Sequence, residues 1–192
     1  MSYYFQNILR PKIGSGATYS FFIRALFCLA NLLFLAGCPS QEKGVYKNDL
    51  GKFSIVFPKG WEVRERQLGL DVIGFEPLSS GLDKFRENVA VASSAMTKPM
   101  DGEGLLDANL PAMIQMITDF KPENRGHLEI QGRDAAFLRY SQRQGEFKLT
   151  SLLYAVPGKT RAYLVYCTAE SENFPKFQPE CEKVVKTFKA LE

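Results

Sequence analysis

Few side chains in this sequence could carry catalytic chemistry. His127 is the single histidine among 192 residues, so a Ser-His-acid triad would have to use it. No G-x-S-x-G or comparable nucleophile motif accompanies this residue, and one histidine is too few for a His-rich zinc site. A hydrolase would depend on His127 alone, whereas a turn or surface histidine needs no catalytic partner. We expect the latter, with no catalytic residue and no enzyme activity.

Other residues could bind a ligand without catalysing a reaction. The single tryptophan, Trp61, follows a Pro-x-Gly turn and could be either a ligand platform or a packing residue. Four carboxylates that could line a cation site lie around one predicted pair of strands: Asp71, Glu76, Asp83 and Glu87. None belongs to a calcium-loop motif, so a solvated rim is the alternative. We expect packing for Trp61, a solvated rim for the carboxylates, and neither a metal site nor a cofactor.

The front of the chain has the layout of an export signal. Residues 21–37 are apolar except at Arg24, Asn31 and Gly37, and the basic residues Arg10 and Lys12 precede them. That order of basic flank, apolar stretch and small residues is typical of a signal peptide. The least interrupted part, 25–35, spans about 11 residues, short of the roughly 20 that a transmembrane helix needs. The sequence therefore predicts a signal peptide over residues 1–37.

The residues at the end of that segment indicate how the protein is attached to a membrane. Leu35, Ala36 and Gly37 precede Cys38, and polar residues follow. The four residues resemble the lipobox of bacterial lipoproteins, which implies lipidation of Cys38, a lipid-anchored tether over 38–44 and a location on the extracytoplasmic side of a membrane. Acyl chains alone hold such a protein on a bilayer. The alternatives are an uncleaved membrane anchor and an ordinary cleavage site with an incidental cysteine.

Two of the four cysteines remain once the signal is set aside. Cys28 and Cys38 lie in or at the end of the signal, which leaves Cys167 and Cys181. In an exported, oxidising compartment such an even pair predicts a disulfide. Cys167 falls on the core-facing side of a predicted strand, and Cys181 falls on the apolar face of a predicted helix. Two buried free thiols that pack as small hydrophobes are the alternative.

The charge distribution separates the front of the chain from the rest. The 24 Lys and Arg and 21 Asp and Glu residues give a formal charge of +3, but residues 1–37 hold three of the basic residues and no acid. Residues 38–192 therefore carry 24 − 3 = 21 basic and 21 acidic side chains. This neutral domain lacks the net basic face that nucleic acids require, so we expect no nucleic-acid partner. One local basic stretch is interleaved with acids and is read as a mixed solvated face: Arg133, Arg139, Arg143 and Lys148.

The remaining residues predict alternating strands and two helices. Period-2 alternation or turn signals predict strands over 45–47, 52–57, 61–63, 70–76, 88–96, 128–130, 135–141, 147–156 and 160–168. An apolar stripe predicts a central helix over 106–117, in which Pro111 marks either a kink or a later start. A second stripe that ends at Leu191 predicts a closing helix from about Pro179, with Phe174 and Phe177 packing it against the sheet. The pattern predicts an α+β domain with a mostly antiparallel sheet.

Four segments carry a resemblance to a known family. They are 53–61 (FSIVFPKGW), 72–75 (VIGF), 85–91 (FRENVAV) and the ending 174–188. These residues resemble the PsbP-like family, which includes PsbP and DcrB-like lipoproteins. The resemblance implies one domain over residues 45–192, with a central antiparallel sheet sandwiched by helices. It also implies a largely non-catalytic binding or assembly role, although a fold does not by itself assign a function.

These observations lead to one expected function and one alternative. We expect a non-catalytic, lipid-anchored binding or assembly module for an envelope or membrane protein complex, held on the extracytoplasmic side of a membrane through Cys38. Its partners would be the membrane and a protein. The alternative is a lipoprotein that carries a small molecule or metal ion in a pocket between helix and sheet. A concave cavity with convergent polar groups would favour the alternative, whereas a flat surface would favour the first.

Overall fold

A computed structural model of the chain describes residues 44–78, 80 and 84–192. The predicted signal peptide 1–37, the lipidation site Cys38, the first six tether residues 38–43 and Asp83 lie outside the described residues. The described part contains ten strands and two helices: β1 Val45–Asn48, β2 Phe53–Val56, β3 Glu62–Glu65, β4 Val72–Phe75, β5 Asn88–Ala95, α1 Gly102–Met116, β6 Lys121–Ile130, β7 Arg133–Gln144, β8 Phe147–Pro157, β9 Arg161–Glu170, α2 Phe174–Lys186 and β10 Lys189–Ala190. Neither described helix is long and apolar enough to cross a bilayer.

Seven of the described strands form one sheet in the order β3-β4-β5-β9-β8-β7-β6. Every neighbouring pair in it is antiparallel. Tight turns explain the pairing of β6 with β7, β7 with β8 and β8 with β9. Between β6 and β7 the loop has two residues, Gln131 and Gly132, both at positive φ (51° and 73°), as a type I′ hairpin turn requires. The pairing of β5 with β9 is long-range and joins the strands β3–β5 to the strands β6–β9.

The central strands of the large sheet are buried on both faces. Along β8, Leu152, Tyr154 and Val156 face one hydrophobic cluster, whereas Leu153 and Ala155 face a second cluster. This is the period-2 alternation expected of a central strand. Helix α1 covers the second cluster, and α2 with a small sheet covers the first. The predicted α+β class with a mostly antiparallel sheet between helical layers is confirmed.

Only two strands of the small sheet were predicted, those over 45–47 and 52–57. Strands β1 and β2 pair antiparallel, and β10 joins the other side of β2. This small sheet packs on the α2 side of the large one through aromatic contacts. The Phe188 ring stacks on Phe53 at 5.8 Å and meets Tyr163 edge to face at 5.2 Å, measured between ring centroids. The last residues of the chain therefore return to the core after α2 ends.

Helix α1 begins earlier than its apolar stripe predicted. Asp101 caps it, its side chain accepting a hydrogen bond from the Gly104 N–H at 2.7 Å, which satisfies one of the free donors of the first turn. Pro111 lies inside the helix. The predicted stripe is partly wrong because Ile114 is 61% exposed, while Leu105 is buried instead.

Helix α2 also differs from its prediction. It begins at Phe174 rather than near Pro179, and Pro175 occupies its first turn, where a missing N–H costs little. Phe174 and Phe177 are buried, so packing against the sheet orders this turn, as the two phenylalanines suggested. The helix ends at Lys186 because the chain turns at Thr187 and enters β10. Leu191 therefore lies beyond the helix and is 43% exposed.

Candidate functional site

A groove runs between α2 and the β6 end of the large sheet. Its volume is about 320 Å³. Strands β6, β7 and β8 provide its floor, and one side of α2 provides a wall. The groove exists because α2 packs mainly over β9, so the outer strands of the sheet are left partly uncovered on that face.

The floor of the groove is apolar. Its apolar residues are Leu128, Ile130, Phe137, Leu152, Tyr154 and Val185. Strand alternation places Leu128 and Ile130 on the same face of β6. Gly126 lies on that face too and pairs in register with Phe137. A methyl group at Gly126 would lie 2.9 Å from Cε1 of Phe137, so the absence of a side chain lets the ring lie across the strand.

The rim of the groove is polar. Its polar residues are Asn124, Glu129, Arg139, Gln178, Glu182 and Lys186. On the strand side, the Arg139 Nε donates to Glu123 Oε2 at 2.9 Å, and its guanidinium lies 5.0 Å from the centroid of the Phe174 ring. On the helix side, the Gln178 Nε2 donates to Glu182 Oε1 at 2.9 Å. These contacts fix the rim side chains while the floor stays open.

Tyr154 lies where the floor meets the helix. Burial is the main cause that raises the pKa of its phenol above the ordinary value, and the nearby Glu182 carboxylate raises it further. A phenol is uncharged at physiological pH even at its ordinary pKa, and its hydroxyl can donate a hydrogen bond. Tyr154 therefore adds one polar group to an otherwise apolar lining, a combination common in binding sites.

A second cavity of about 320 Å³ lies at the start of α2. Glu76, Glu87 and Glu180 line it together with Asn173 and Lys176. Glu87 is buried and accepts a hydrogen bond from the Asn173 Nδ2 at 3.2 Å. Two of the carboxylates that we considered for a cation site, Glu76 and Glu87, thus meet here. Within the described residues, no group of three or more His, Cys, Asp and Glu side chains is arranged to hold a metal ion.

His127 lies on the surface of β6. Its Nε2 is 3.2 Å from Glu103 Oε1, and its Nδ1 is 3.7 Å from Asp134 Oδ1. Neither contact is a serine, threonine or cysteine that could act as a nucleophile. The imidazole therefore has the geometry of a surface residue between two carboxylates, as the sequence suggested.

The two remaining cysteines lie at bonding distance. The Sγ atoms of Cys167 and Cys181 are 1.95 Å apart and the Cα atoms 6.0 Å apart, which fits the predicted disulfide. The bond joins β9 to α2, so it holds in place the helix that forms the wall of the groove.

Trp61 and the basic stretch have packing and surface roles. The Trp61 ring stacks between Phe57 at 6.3 Å and Phe177 at 6.1 Å, so it packs the small sheet against α2. Arg143 pairs with Asp119 at 3.0 Å, and Arg139 pairs with Glu123 as described above. Each of these two arginines is thus paired with a carboxylate, so this part of the predicted mixed face carries no excess positive charge.

The sequence predicted a pocket between helix and sheet only as an alternative, and it did not identify the residues of the groove. A strand was predicted only over 128–130, because the first seven residues of β6 are polar apart from Pro122 and Gly126. The one local signal was Gly126, since a glycine inside a strand often marks a close approach. The groove combines residues from four elements, and their meeting depends on long-range pairing.

Comparison of the sequence with protein-family models and with curated proteins gives no significant match. Solved structures do match. The cyanobacterial PsbP protein CyanoP from Synechocystis sp. PCC 6803 is 13% identical, with a TM-score of 0.56 over 81% of this chain and 98% of that one. LpqN, involved in cell envelope biogenesis of Mycobacterium tuberculosis, is 12% identical, with a TM-score of 0.56 over 73% of this chain and 83% of that one. PA94 from Pseudomonas aeruginosa, a protein of unknown function, is 14% identical, with a TM-score of 0.54 over 74% and 93%.

These matches define the class of protein at the level of its architecture. The antiparallel sheet with helices on both faces is shared over most of this chain and nearly all of CyanoP, whereas few residues are identical. The chain therefore has the PsbP-like fold, as the four sequence segments suggested. The groove between α2 and β6–β8 is the candidate binding site on that fold.

Proposed function

We propose that the chain is a lipid-anchored binding module on the extracytoplasmic side of a bacterial membrane, and that the groove between α2 and β6–β8 receives its protein partner. The groove is the observation that carries this proposal. It combines an apolar floor with a polar rim, the composition of surfaces that bind a protein partner. The role is binding or assembly within an envelope or membrane protein complex.

Two further observations support binding rather than catalysis, and a third supports an envelope location. His127 lies among carboxylates at the surface and not beside a nucleophile. The groove contains no histidine or cysteine, so the usual nucleophile–base pairs have no place in it. One of the solved structures that share the fold belongs to a protein involved in cell envelope biogenesis, which agrees with an envelope location.

The anchor is tested by substituting Cys38. Each buried CH₂ of an acyl chain contributes about 0.8 kcal/mol of membrane affinity, so two or more chains bind the protein firmly. We expect the wild-type protein in the membrane fraction with a mass that shows loss of residues 1–37 and addition of acyl chains. Cys38→Ala should remove both acylation and membrane retention. An unacylated wild-type protein in the soluble fraction would contradict the anchor.

The groove is tested by crosslinking in membranes. Leu128→Asp places a charge on the apolar floor, and the matched control Leu68→Asp places the same charge on a side chain that is 96% exposed outside the groove. A partner captured by the wild-type protein should be lost in Leu128→Asp and retained in Leu68→Asp. Thermal unfolding checks that both variants are folded. Equal capture by a folded Leu128→Asp variant would show that the groove is not the partner site.

The same groove favours one alternative, a small apolar molecule. Its concave shape is one of the two features that we expected of a carrier. The other, a set of polar groups that converge inside the cavity, is met on the floor of the groove by Tyr154 alone. Native mass spectrometry of the protein released from membranes distinguishes the two functions. A bound small molecule in the wild-type protein that disappears in Leu128→Asp would identify a carrier, whereas a crosslinked protein without a bound molecule would identify the module.

A further inference from the structure

We infer that the partner of the groove is an extended segment that pairs with β6 as an added strand, with apolar side chains towards the groove and basic side chains towards α1. This inference rests on the proposed function, because it specifies the partner of the same site. It is carried by the open edge of the sheet, the alternation of side chains along that edge and the charge on its α1 side.

Strand β6 is the longer of the two edges of the large sheet. Within the described residues it pairs with β7 alone, whereas β3 forms the opposite edge. Strand β6 has ten residues and β3 has four. Short, charged edges such as β3 resist pairing with other chains. The first residues of β6 are irregular, because Pro122 lies there and the pairing register with β7 shifts beside it. Residues 124–130 form a regular edge.

The turn identifies which backbone groups of β6 are available. A two-residue hairpin loop closes on a hydrogen-bonded pair, here Ile130 and Arg133. Hydrogen-bonded and non-hydrogen-bonded pairs alternate in an antiparallel ladder. The backbone groups of Gly126 and Leu128 therefore bond to β7, and those of Arg125, His127 and Glu129 point away from the sheet. A row of outward N–H and C=O groups is the template that an added strand requires.

The groove side of this edge is suited to apolar side chains. Gly126 and Leu128 lie on the face that borders the groove, and Gly126 leaves no side chain there above the Phe137 ring. A strand beside β6 would direct every second side chain to this face. An apolar side chain next to Gly126 would reach Phe137 and Leu128 across the missing side chain. Apolar cross-strand neighbours stabilise such pairing.

The α1 side of this edge is acidic. Arg125 is bonded to Glu103 and to Asp107, and Asp134 lies on the same side near His127. Two carboxylates thus bond the guanidinium, and a third lies beside the imidazole of His127, so acidic side chains outnumber Arg125 on this side. The alternate side chains of an added strand would face this side, where basic residues complement the excess negative charge and acidic ones are repelled.

A second copy of this chain is a less suitable occupant. Antiparallel pairing of two β6 strands about a two-fold axis would place both α1 sides on the same side of the joined sheet. Each copy would then bring three carboxylates and one guanidinium to the junction, and like charges close together oppose pairing. Charge therefore favours a different, basic segment.

The binding test uses two labelled peptides and the protein produced from its full sequence in a non-ionic detergent. One peptide alternates valine and lysine, and the other alternates valine and glutamate. Fluorescence anisotropy should show saturable binding of the valine–lysine peptide and at least tenfold weaker binding of the valine–glutamate peptide, about 1.4 kcal/mol. Absence of saturable binding of the valine–lysine peptide at millimolar concentration, or equal binding of both, overturns the inference.

Two variants at one position test the backbone pairing. His127→Pro removes an outward N–H that no β7 group uses, and proline is tolerated on an edge strand. His127→Ala removes the same imidazole but keeps the N–H. We expect at least tenfold weaker peptide binding in His127→Pro and a change within about twofold in His127→Ala. Thermal unfolding confirms that both are folded, and equal binding by the two variants overturns pairing with β6.

The two proposals fail in different ways. If Leu128→Asp loses the crosslinked partner while His127→Pro retains it, the groove binds a partner without an added strand, and only the present inference is wrong. If a folded Leu128→Asp retains the partner, the proposed function itself is wrong. Capture of a second copy of this chain as the crosslinked partner also overturns the inference, because it identifies the occupant that charge disfavours.

Discussion

Breaking the crosslink between Cys167 and Cys181 should lower the free energy of unfolding by about 3 kcal/mol. The two residues are separated by 14 positions, and in the chain-entropy model a closed loop of about 15 residues contributes roughly 3 kcal/mol by restricting the unfolded chain. Both cysteines are fully buried. The bond joins β9 to α2, so its loss also loosens the wall of the groove.

The two cysteines contribute to the free energy of unfolding both through the crosslink and through the packing of their sulfur atoms, and the experiment has to distinguish these contributions. In the sheet Cys167 lies between Val89 of β5 and Leu152 of β8 in register. Replacing both cysteines by alanine removes the bond but also leaves a cavity, which adds its own cost. Reduction of the wild-type protein leaves both sulfur atoms in place, so it measures the crosslink alone.

Urea unfolding with and without reductant provides the assay. We expect the reductant to lower the unfolding free energy of the wild-type protein by about 3 kcal/mol and to leave a Cys167→Ala/Cys181→Ala double variant unchanged. Alkylation of the denatured, unreduced wild-type protein should modify neither residue. The reasoning is refuted if reductant does not shift the wild-type midpoint, or if both thiols are alkylated without reduction.

Three other predictions concern the elements that build the fold. Asp101→Ala should cost about 1 kcal/mol of stability through loss of the cap on Gly104, and Asp101→Asn should cost less; urea midpoints compare the two. Gly102→Ala should cost about 2 kcal/mol or more by overpacking, because its methyl group would lie 2.4 Å from the Ala136 nitrogen; an unchanged melting temperature would contradict this. Burial is the main cause that raises the pKa of Tyr163 to about 12. The unfolded phenol, with a pKa of about 10, therefore loses its proton first, and stability should fall as pH rises from about 10 to about 12. Tyr163→Phe should show a shallower fall in urea unfolding over that range, and an equally steep fall would contradict the assignment.

Most strands could be predicted because their side chains alternate locally. In β9, Cys167 was predicted to face the core, and it is fully buried together with Tyr163 and Val165, which lie on the same face of the strand. Turn residues between strands gave the hairpins for a similar reason, since the φ values that a turn needs limit the residues it accepts. These features depend on neighbours in sequence, which is why they can be predicted without the fold.

The helix ends were predicted less well because distant residues determine them. The end of α2 is held by Thr187, whose Oγ1 donates to the Val184 carbonyl and accepts a hydrogen bond from the Val56 N–H of β2 at 2.8 Å. The sequence around Thr187 does not predict its hydrogen bond with Val56, which lies 131 positions away. The start of α2 likewise depends on burial of Phe174 against the sheet rather than on a local cap.

The sequence by itself determined the composition of the core, the alternation of its strands, the cysteine pair and the neutral charge of residues 38–192. The tertiary structure alone decided that β6 is an edge and that a groove lies beside it. The order of strands places β6 last, and the position of α2 over β9 leaves the floor uncovered. Both follow from pairings between segments far apart in sequence, in which each residue's role depends on surfaces that form only when the chain has folded.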